Sequence, residues 1–306
     1  MTEALLQALI SGLALGGAYA LVALGFSITF TTTKTLNFSH GDFVSAGSFI
    51  GLSVMLLLTG APLRGSIEAL VVHGNEQLIA VFIAIAVMGV LGIVLYLTAV
   101  RPFAGKPGMA WVMSTIGFGI ILQSLGLAIW GPAPMKVPAP FGEGVIRFFG
   151  VGFRSQELLL ICVTLVVMGI FDWVMRKTLI GKAMRAVAHD RNVAALMGIN
   201  VNAIMLGAFF VSSGLAGLSG YLLAPIASAS LFMGLGIALK GFSGAMIGGL
   251  TNPRGCVIGG FVLGILESMI NLWQAQWREI VVFMLVILVL AFKPNGLFGK
   301  KMVEKV

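Results

Sequence analysis

Long uninterrupted apolar runs constrain this sequence more than any other feature. Residues 4–30 and residues 78–100 contain no Asp, Glu, Lys or Arg. A helix of about 20 apolar residues is long enough to cross the hydrocarbon core of a bilayer. Only 10% of all residues are charged, whereas about a quarter are charged in soluble proteins. The sequence therefore predicts an all-α, polytopic membrane protein, with residues 1–306 forming one transmembrane domain.

Nine segments are predicted to cross the membrane, and the pattern is compatible with eight to ten. They are residues 4–30, 43–60, 78–100, 108–130, 157–175, 203–224, 233–250, 256–273 and 280–292. The seventh is short and rich in glycine, so it could be re-entrant. Alternate loops hold 13 of the 19 Lys and Arg residues. Because cytoplasmic loops are enriched in Lys and Arg, we expect the N-terminus outside and the C-terminus inside.

Part of the first segment recurs in the sixth. Residues 11–14 and residues 213–216 both read Ser-Gly-Leu-Ala, and Tyr19 matches Tyr221 at the same offset. With the predicted orientation the two segments run in opposite directions, which is the relation found in inverted repeats of transporters. Chance similarity among small residues is the alternative.

Residues 176–202 are too polar to lie in a bilayer, yet they show helical periodicity. Lys182, Arg185 and His189 are three and four positions apart, so a helix places them on one face. Met184 and Val187 lie on another face. Gly198 can end the helix in a left-handed conformation. This pattern predicts an amphipathic helix beside the membrane that a soluble partner can grip; a basic loop that only fixes orientation is the alternative.

Residues 37–42 form the densest polar cluster next to a predicted crossing. The cluster contains Asn37, Ser39, His40 and Asp42, with a glycine between the last two. Broken membrane helices expose backbone groups that bind polar solutes, so these side chains are candidates for a solute pathway. Alternatively, Asn37 or Ser39 caps the second crossing.

Two ionisable residues, Lys240 and Glu267, lie inside the seventh and eighth predicted segments at matching depths. Ionisable groups within a membrane usually face a partner or a water-filled path. We therefore expect them to form an intramembrane ion pair, and Glu267 is also a candidate for the solute pathway.

The sequence contains no Gly-x-x-x-x-Gly-Lys-Ser/Thr phosphate-binding loop. We therefore expect the chain to bind no cofactor and to leave any use of ATP to partner subunits. The net charge of +8 is spread over short loops between apolar runs. This distribution argues against a nucleic-acid partner and indicates that membrane lipid surrounds the apolar segments. Cys162 and Cys256 lie in apolar segments, so neither a disulfide nor a metal site is predicted.

Several of these stretches together resemble LivH-type permeases, the membrane subunits of high-affinity branched-chain amino acid ABC importers. The similar stretches are residues 36–43 followed by 46–49, residues 185–200, and residues 241–267. The resemblance implies a transport subunit, not an enzyme, in the bacterial inner membrane. It also implies a LivM-like second permease, two cytoplasmic ATPase subunits and a periplasmic solute-binding protein. Relatives that import urea, short amides or aromatic acids share the motifs, and an ion-coupled secondary transporter or channel remains the alternative of another class.

In this resemblance, residues 176–202 correspond to the cytoplasmic coupling loop that contacts an ATPase. We expect Met184, Val187 and Leu196 to enter a groove of the ATPase, Arg185 and Asp190 to lie at its rim, and Gly198 to end the helix. The predicted solute pathway consists of Asn37, Ser39, His40, Asp42 and Glu267.

Overall fold

The computed structural model describes residues 2–60, 74–103, 109–140, 144–148 and 151–299. The helices there are α1 Thr2–Thr33, α2 His40–Leu58, α3 Gly74–Leu95, α4 Ala110–Trp130, α5 Ser155–Lys177, α6 Leu179–His189, α7 Arg191–Leu196, α8 Val201–Ala227, α9 Met233–Gly248, α10 Pro253–Gln274 and α11 Arg278–Phe292. A π-helical turn, Tyr96–Val100, and a 3₁₀ turn, Arg101–Phe103, extend α3, and a second 3₁₀ turn, Ala275–Trp277, joins α10 to α11.

Each of the nine predicted membrane segments coincides with a helix: α1 to α5 and α8 to α11. Within the described residues, seven helical stretches are long and apolar enough to cross a membrane. One of them, Pro253–Phe292, includes both α10 and α11, whereas α9 is shorter than these stretches. A predominantly helical membrane protein is therefore confirmed, and the number of nine crossings stays a prediction.

Helix α1 lies at the centre of the bundle, where it packs on α5, α8, α9 and α10. Small residues allow this close packing: a Cβ on Gly16 would lie 2.8 Å from the Phe261 Cα, and one on Gly12 would lie 2.8 Å from the Ile265 Cα. Residues 18–24 of α1 are all at most 4% exposed. The Gly-xxx-Gly spacing in α1 thus serves helix packing within the chain.

Helices α2 and α9 both begin inside the bundle. The imidazole of His40 packs on Gly25, eight residues before the end of α1, which is roughly 12 Å along that helix. The chain therefore turns back towards the bundle between α1 and α2. At the start of α9, the Gly234 N–H donates to Ser45 Oγ over 2.9 Å, and the Gly234 backbone contacts that of Gly41. The two helix N-termini consequently meet in the protein interior.

A short β-hairpin corrects the purely helical prediction. Strands β1 Val145–Phe148 and β2 Val151–Arg154 pair antiparallel between the fourth and fifth predicted crossings. Helix α5 starts immediately after β2, and Ser11 Oγ of α1 donates to the Glu157 carboxylate over 2.9 Å. The hairpin therefore leads the chain into the first turn of α5.

The loops that carry most of the positive charge share one end of the bundle. The contacts that join them are Arg191 with Thr32, Tyr96 with Asn202, Arg254 with Asp172, and Asn252 with Phe298. At the other end, Glu279 pairs with Lys240. The predicted grouping of loops agrees with these contacts. The side of the membrane on which this basic end lies stays a prediction.

Candidate functional site

The predicted amphipathic helix of residues 176–202 is two helices, because Asp190 starts a new one. Its carboxylate accepts hydrogen bonds from the backbone N–H groups of Asn192 and Val193, at 2.8 and 3.0 Å, which caps α7. Thr178 caps α6 in the same way through the Gly181 N–H. Gly198 has a φ of +82° and follows α7, as the sequence predicts. Asp190 therefore has a structural role as a cap.

The faces of these two helices differ from the predicted faces. Val187 is 1% exposed, because α6 packs on α1, α5 and α8, and Met184 is half-buried beside them. Leu196 is 88% exposed, and Met197 and Val193 of the same segment are also exposed. Val187 is therefore covered by this chain itself, whereas Leu196 is exposed; that either residue contacts an ATPase stays a prediction. Helical periodicity alone did not show which apolar face this chain covers by itself.

Arg191, the first residue of α7, connects this region to the end of α1. Its Nε donates to the carbonyl oxygen of Thr32 over 3.1 Å. Partial burial lowers the pKa of Arg191, and partial burial together with the charge of Arg191 lowers the pKa of Lys34. The start of α7 thus touches the segment that leads from α1 into the polar cluster.

The polar cluster is a tight turn that ends at the first residue of α2. The side-chain oxygen of Asn37 accepts from the Ser39 N–H at 3.2 Å and from its hydroxyl at 2.6 Å. The Ser39 side chain makes no capping hydrogen bond to α2. Asn37 therefore holds the turn that precedes the helix, and Ser39 supports that turn instead of capping the helix.

His40 and Asp42 are the ionisable residues of this turn. His40 is fully buried, its ring centroid lies 4.5 Å from that of Phe26, and its ring lies near the backbone of Val22 without a well-formed hydrogen bond from either ring nitrogen to a described residue. The Asn37 side-chain NH₂ group also has none there. Asp42 is half-buried, and its carboxylate packs on Gly119 of α4. Buried polar groups without partners are uncommon, and in this turn His40 packs on α1 while Asp42 packs on α4.

Lys240 and Glu267 form an ion pair at 2.7 Å. The Glu267 side chain is 3% exposed, and it also accepts from the Tyr19 hydroxyl at 2.8 Å and lies 3.3 Å from Arg278 Nε. Lys240 has a second partner, Glu279, at 2.9 Å. Both Glu267 oxygens are therefore engaged within the chain, which favours the ion pair over a solute contact.

Tyr19, Arg278 and Glu279 also belong to this cluster, although the sequence did not predict them as members. The three residues lie on α1 and α11, so only the packing of distant helices brings them to Glu267. Arg278 and Glu279 directly precede the last predicted crossing, and this pair of opposite charges was the sequence feature that could have indicated the cluster. Since Tyr19 is six residues before Gly25 on α1, roughly 9 Å along the helix, the ion cluster and the His40 turn lie at different levels.

Comparison with known proteins gives a consistent result along the chain. Residues 8–290 match the profile of a family described as branched-chain amino acid transport system, permease component. The high-affinity branched-chain amino acid transport system permease protein BraD of Pseudomonas aeruginosa is 31% identical, over 98% of both chains. LivH of Escherichia coli K12, with the same description, is 28% identical over 98% of this chain and 97% of its own length.

Among solved structures, an inward-facing ABC transporter of the metal-chelate type aligns with 94% of this chain and 85% of its own chain. The sequence identity is 13% and the TM-score is 0.46.

Proposed function

Because this chain belongs to the family of permease components of branched-chain amino acid transport systems, we propose that it forms part of the membrane path of an ATP-binding-cassette importer for branched-chain or related amino acids. Like its relatives, it is a transport subunit and not an enzyme. In this proposal a LivM-like permease completes the path, two ATPase subunits bind at the basic end, and a solute-binding protein docks at the opposite end. The basic end is cytoplasmic, the N-terminus is periplasmic, and the membrane is the bacterial inner membrane.

The exposed apolar surface of α7 is the observation that carries the coupling proposal. The surface consists of Val193 and Leu196 of α7 and of Met197, the residue that follows α7; these are 51%, 88% and 76% exposed. It lies at the basic end of the bundle, and large exposed apolar side chains there are costly unless a partner covers them. An ATPase groove would take up these residues, and Arg185 of α6, which donates to the Met175 carbonyl oxygen, would hold α6 against the end of α5.

Movement of α7 can be transmitted into the bundle through a direct contact with α1. The Arg191 hydrogen bond to Thr32 joins α7 to α1, and the chain continues from Thr32 through Asn37 to His40. A shift of α7 driven by ATP hydrolysis would therefore displace the turn at the start of α2. One hydrogen bond and seven intervening residues of main chain thus join α7 to His40.

The pathway proposal concerns Asn37, Ser39, His40 and Asp42. The N-termini of α2 and α9 meet beside them, and such termini carry partial positive charge that suits a solute carboxylate. Asp42 has no ion-pair partner among the described residues, which suits the ammonium group of an amino acid. Glu267 is left out of this proposal because its partners lie within the chain.

A pair of charge substitutions tests the coupling proposal. Leu196→Asp is expected to leave folding intact, because the side chain is 88% exposed, and to release the ATPase. Loss of a well-placed apolar anchor costs about 2 kcal/mol, which corresponds to roughly 30-fold weaker binding. Co-purification of the ATPase and its stimulation by the permease measure the effect.

Leu179→Asp is the matched control, because Leu179 is 79% exposed at the same end of the bundle but outside α7. It is expected to retain the ATPase. If Leu196→Asp also retains and stimulates the ATPase normally, α7 is not the coupling surface. The assignment to the family does not depend on that result.

A charge-removing substitution tests the pathway separately. Asp42→Asn is expected to reduce amino acid uptake in membranes while the ATPase still co-purifies, because the change keeps the size of the side chain. Normal uptake by this variant would remove Asp42 from the pathway.

A further inference from the structure

An apolar cleft of about 600 Å³ opens between α5, α6 and α8. Every side chain that lines it is apolar, including Val174 of α5, Met184 of α6 and Ile204 of α8. Gly207 lies on its α8 wall, and a Cβ added there would meet nothing within 4 Å. The cleft therefore has room for further atoms beside α8, at the surface of the bundle, and α6 bounds it at the basic end.

Positive charge lies at the α6 end of this cleft. Lys177 follows Ile170 by seven positions and Val174 by three, so it continues the same stripe of α5 that lines the cleft. Lys177 is exposed, and the structure gives it no ion pair among the described residues, whereas its neighbour Arg176 pairs with Asp172 at 3.4 Å. Lys182 and Arg185 follow on α6. An apolar slot thus ends in an uncompensated cationic group.

We propose that this cleft binds an acyl chain of an anionic phospholipid, with the phosphate of that lipid at Lys177. Basic sites between membrane helices at the cytoplasmic side suit anionic headgroups. Because every side chain that lines the cleft is apolar, a hydrocarbon chain can contact apolar groups along all of it. The lipid would pack on Met184 and so support α6 from the membrane side.

The full-length chain purified in a neutral detergent tests the proposal with two probes, phosphatidylglycerol and phosphatidylcholine. Native mass spectrometry counts the retained lipid, and thermal unfolding reports stabilisation by each probe. We expect the unsubstituted protein to retain phosphatidylglycerol in preference and to be stabilised by it. Gly207→Phe fills the cleft and is expected to abolish both effects.

Gly169→Phe is the matched control. Gly169 also lies in a membrane helix with nothing within 4 Å of an added Cβ, but it does not line the cleft, so retention should be unchanged. Lys177→Gln leaves the cleft open and is expected to weaken phosphatidylglycerol retention about fivefold, the effect of one lysine near an anionic surface. Because this exposed substitution does not disturb packing, it keeps the test valid even if Gly207→Phe folds poorly.

Equal retention of the two lipids by the unsubstituted protein, or unchanged retention by Lys177→Gln, would overturn the proposal. So would a Gly207→Phe variant that keeps its lipid but loses a second permease subunit during purification, because the cleft would then be an interface between subunits.

Discussion

We expect Glu267→Gln to destabilise the folded protein by about 3 kcal/mol, the lower end of the range for breaking a buried ion pair by removing one partner. The carboxylate is 3% exposed and lies 2.7 Å from Lys240 Nζ, whose side chain is itself only 10% exposed. Glutamine keeps the shape and can still accept the hydrogen bond from Tyr19. The loss of stability therefore reports the removal of the negative charge alone.

The lower end of the range applies because Lys240 retains a second ion-pair partner. Lys240 keeps Glu279 at 2.9 Å, but the Glu279 side chain is 50% exposed, so water screens that pair. Surface pairs of this kind contribute at most about 1 kcal/mol. We therefore expect Glu279→Gln to cost less than about 1 kcal/mol, even though it removes the same charge from the same lysine.

Unfolding titrations with a denaturing detergent in mixed micelles, followed by circular dichroism, give the free energies of unfolding. Lys240→Met combined with Glu267→Gln should recover part of the loss, because it removes the buried charge that Glu267→Gln leaves without its buried partner. The reasoning would be refuted if Glu267→Gln and Glu279→Gln had equal effects, or if the double variant were less stable than Glu267→Gln alone.

Three further predictions concern packing and charge elsewhere in the bundle. Val187→Asp places a charge at a site that is 1% exposed, so the yield of folded, monodisperse protein should fall, whereas Leu196→Asp should express normally; equal yields would contradict the burial. Gly234→Val should lower the thermal unfolding temperature more than Gly236→Val, because a Cβ on Gly234 meets the Gly41 backbone while one on Gly236 meets nothing within 4 Å. The pKa of Lys34 in the folded protein lies below its ordinary value of 10.5. Between these two pKa values the unfolded chain binds more protons than the folded one, so Lys34 should make stability rise with pH up to about 10.5. In thermal unfolding measured against pH, Lys34→Gln should lack this rise.

The positions of the helices were predictable because they depend on local features of the sequence. An apolar stretch long enough to cross a bilayer must satisfy its backbone groups internally, and a helix does so. All nine predicted segments consequently coincide with helices, and Gly198 ends the segment that contains α7. The four-residue spacing of Gly12 and Gly16 is likewise typical of close helix packing, but it does not indicate that the partner is α10.

Tertiary packing decided what the side chains do. Val187 and Leu196 are both apolar residues of the same amphipathic segment, yet only the docking of α6 on α1, α5 and α8 buries the first and leaves the second exposed. Glu267 gains Tyr19, Arg278 and Glu279 from helices that are distant in sequence. The start of α2 lies inside the bundle because His40 packs on Gly25, a contact that no local pattern encodes. Periodicity records which residues share a helix face, whereas the choice of what covers that face depends on how the helices pack against one another.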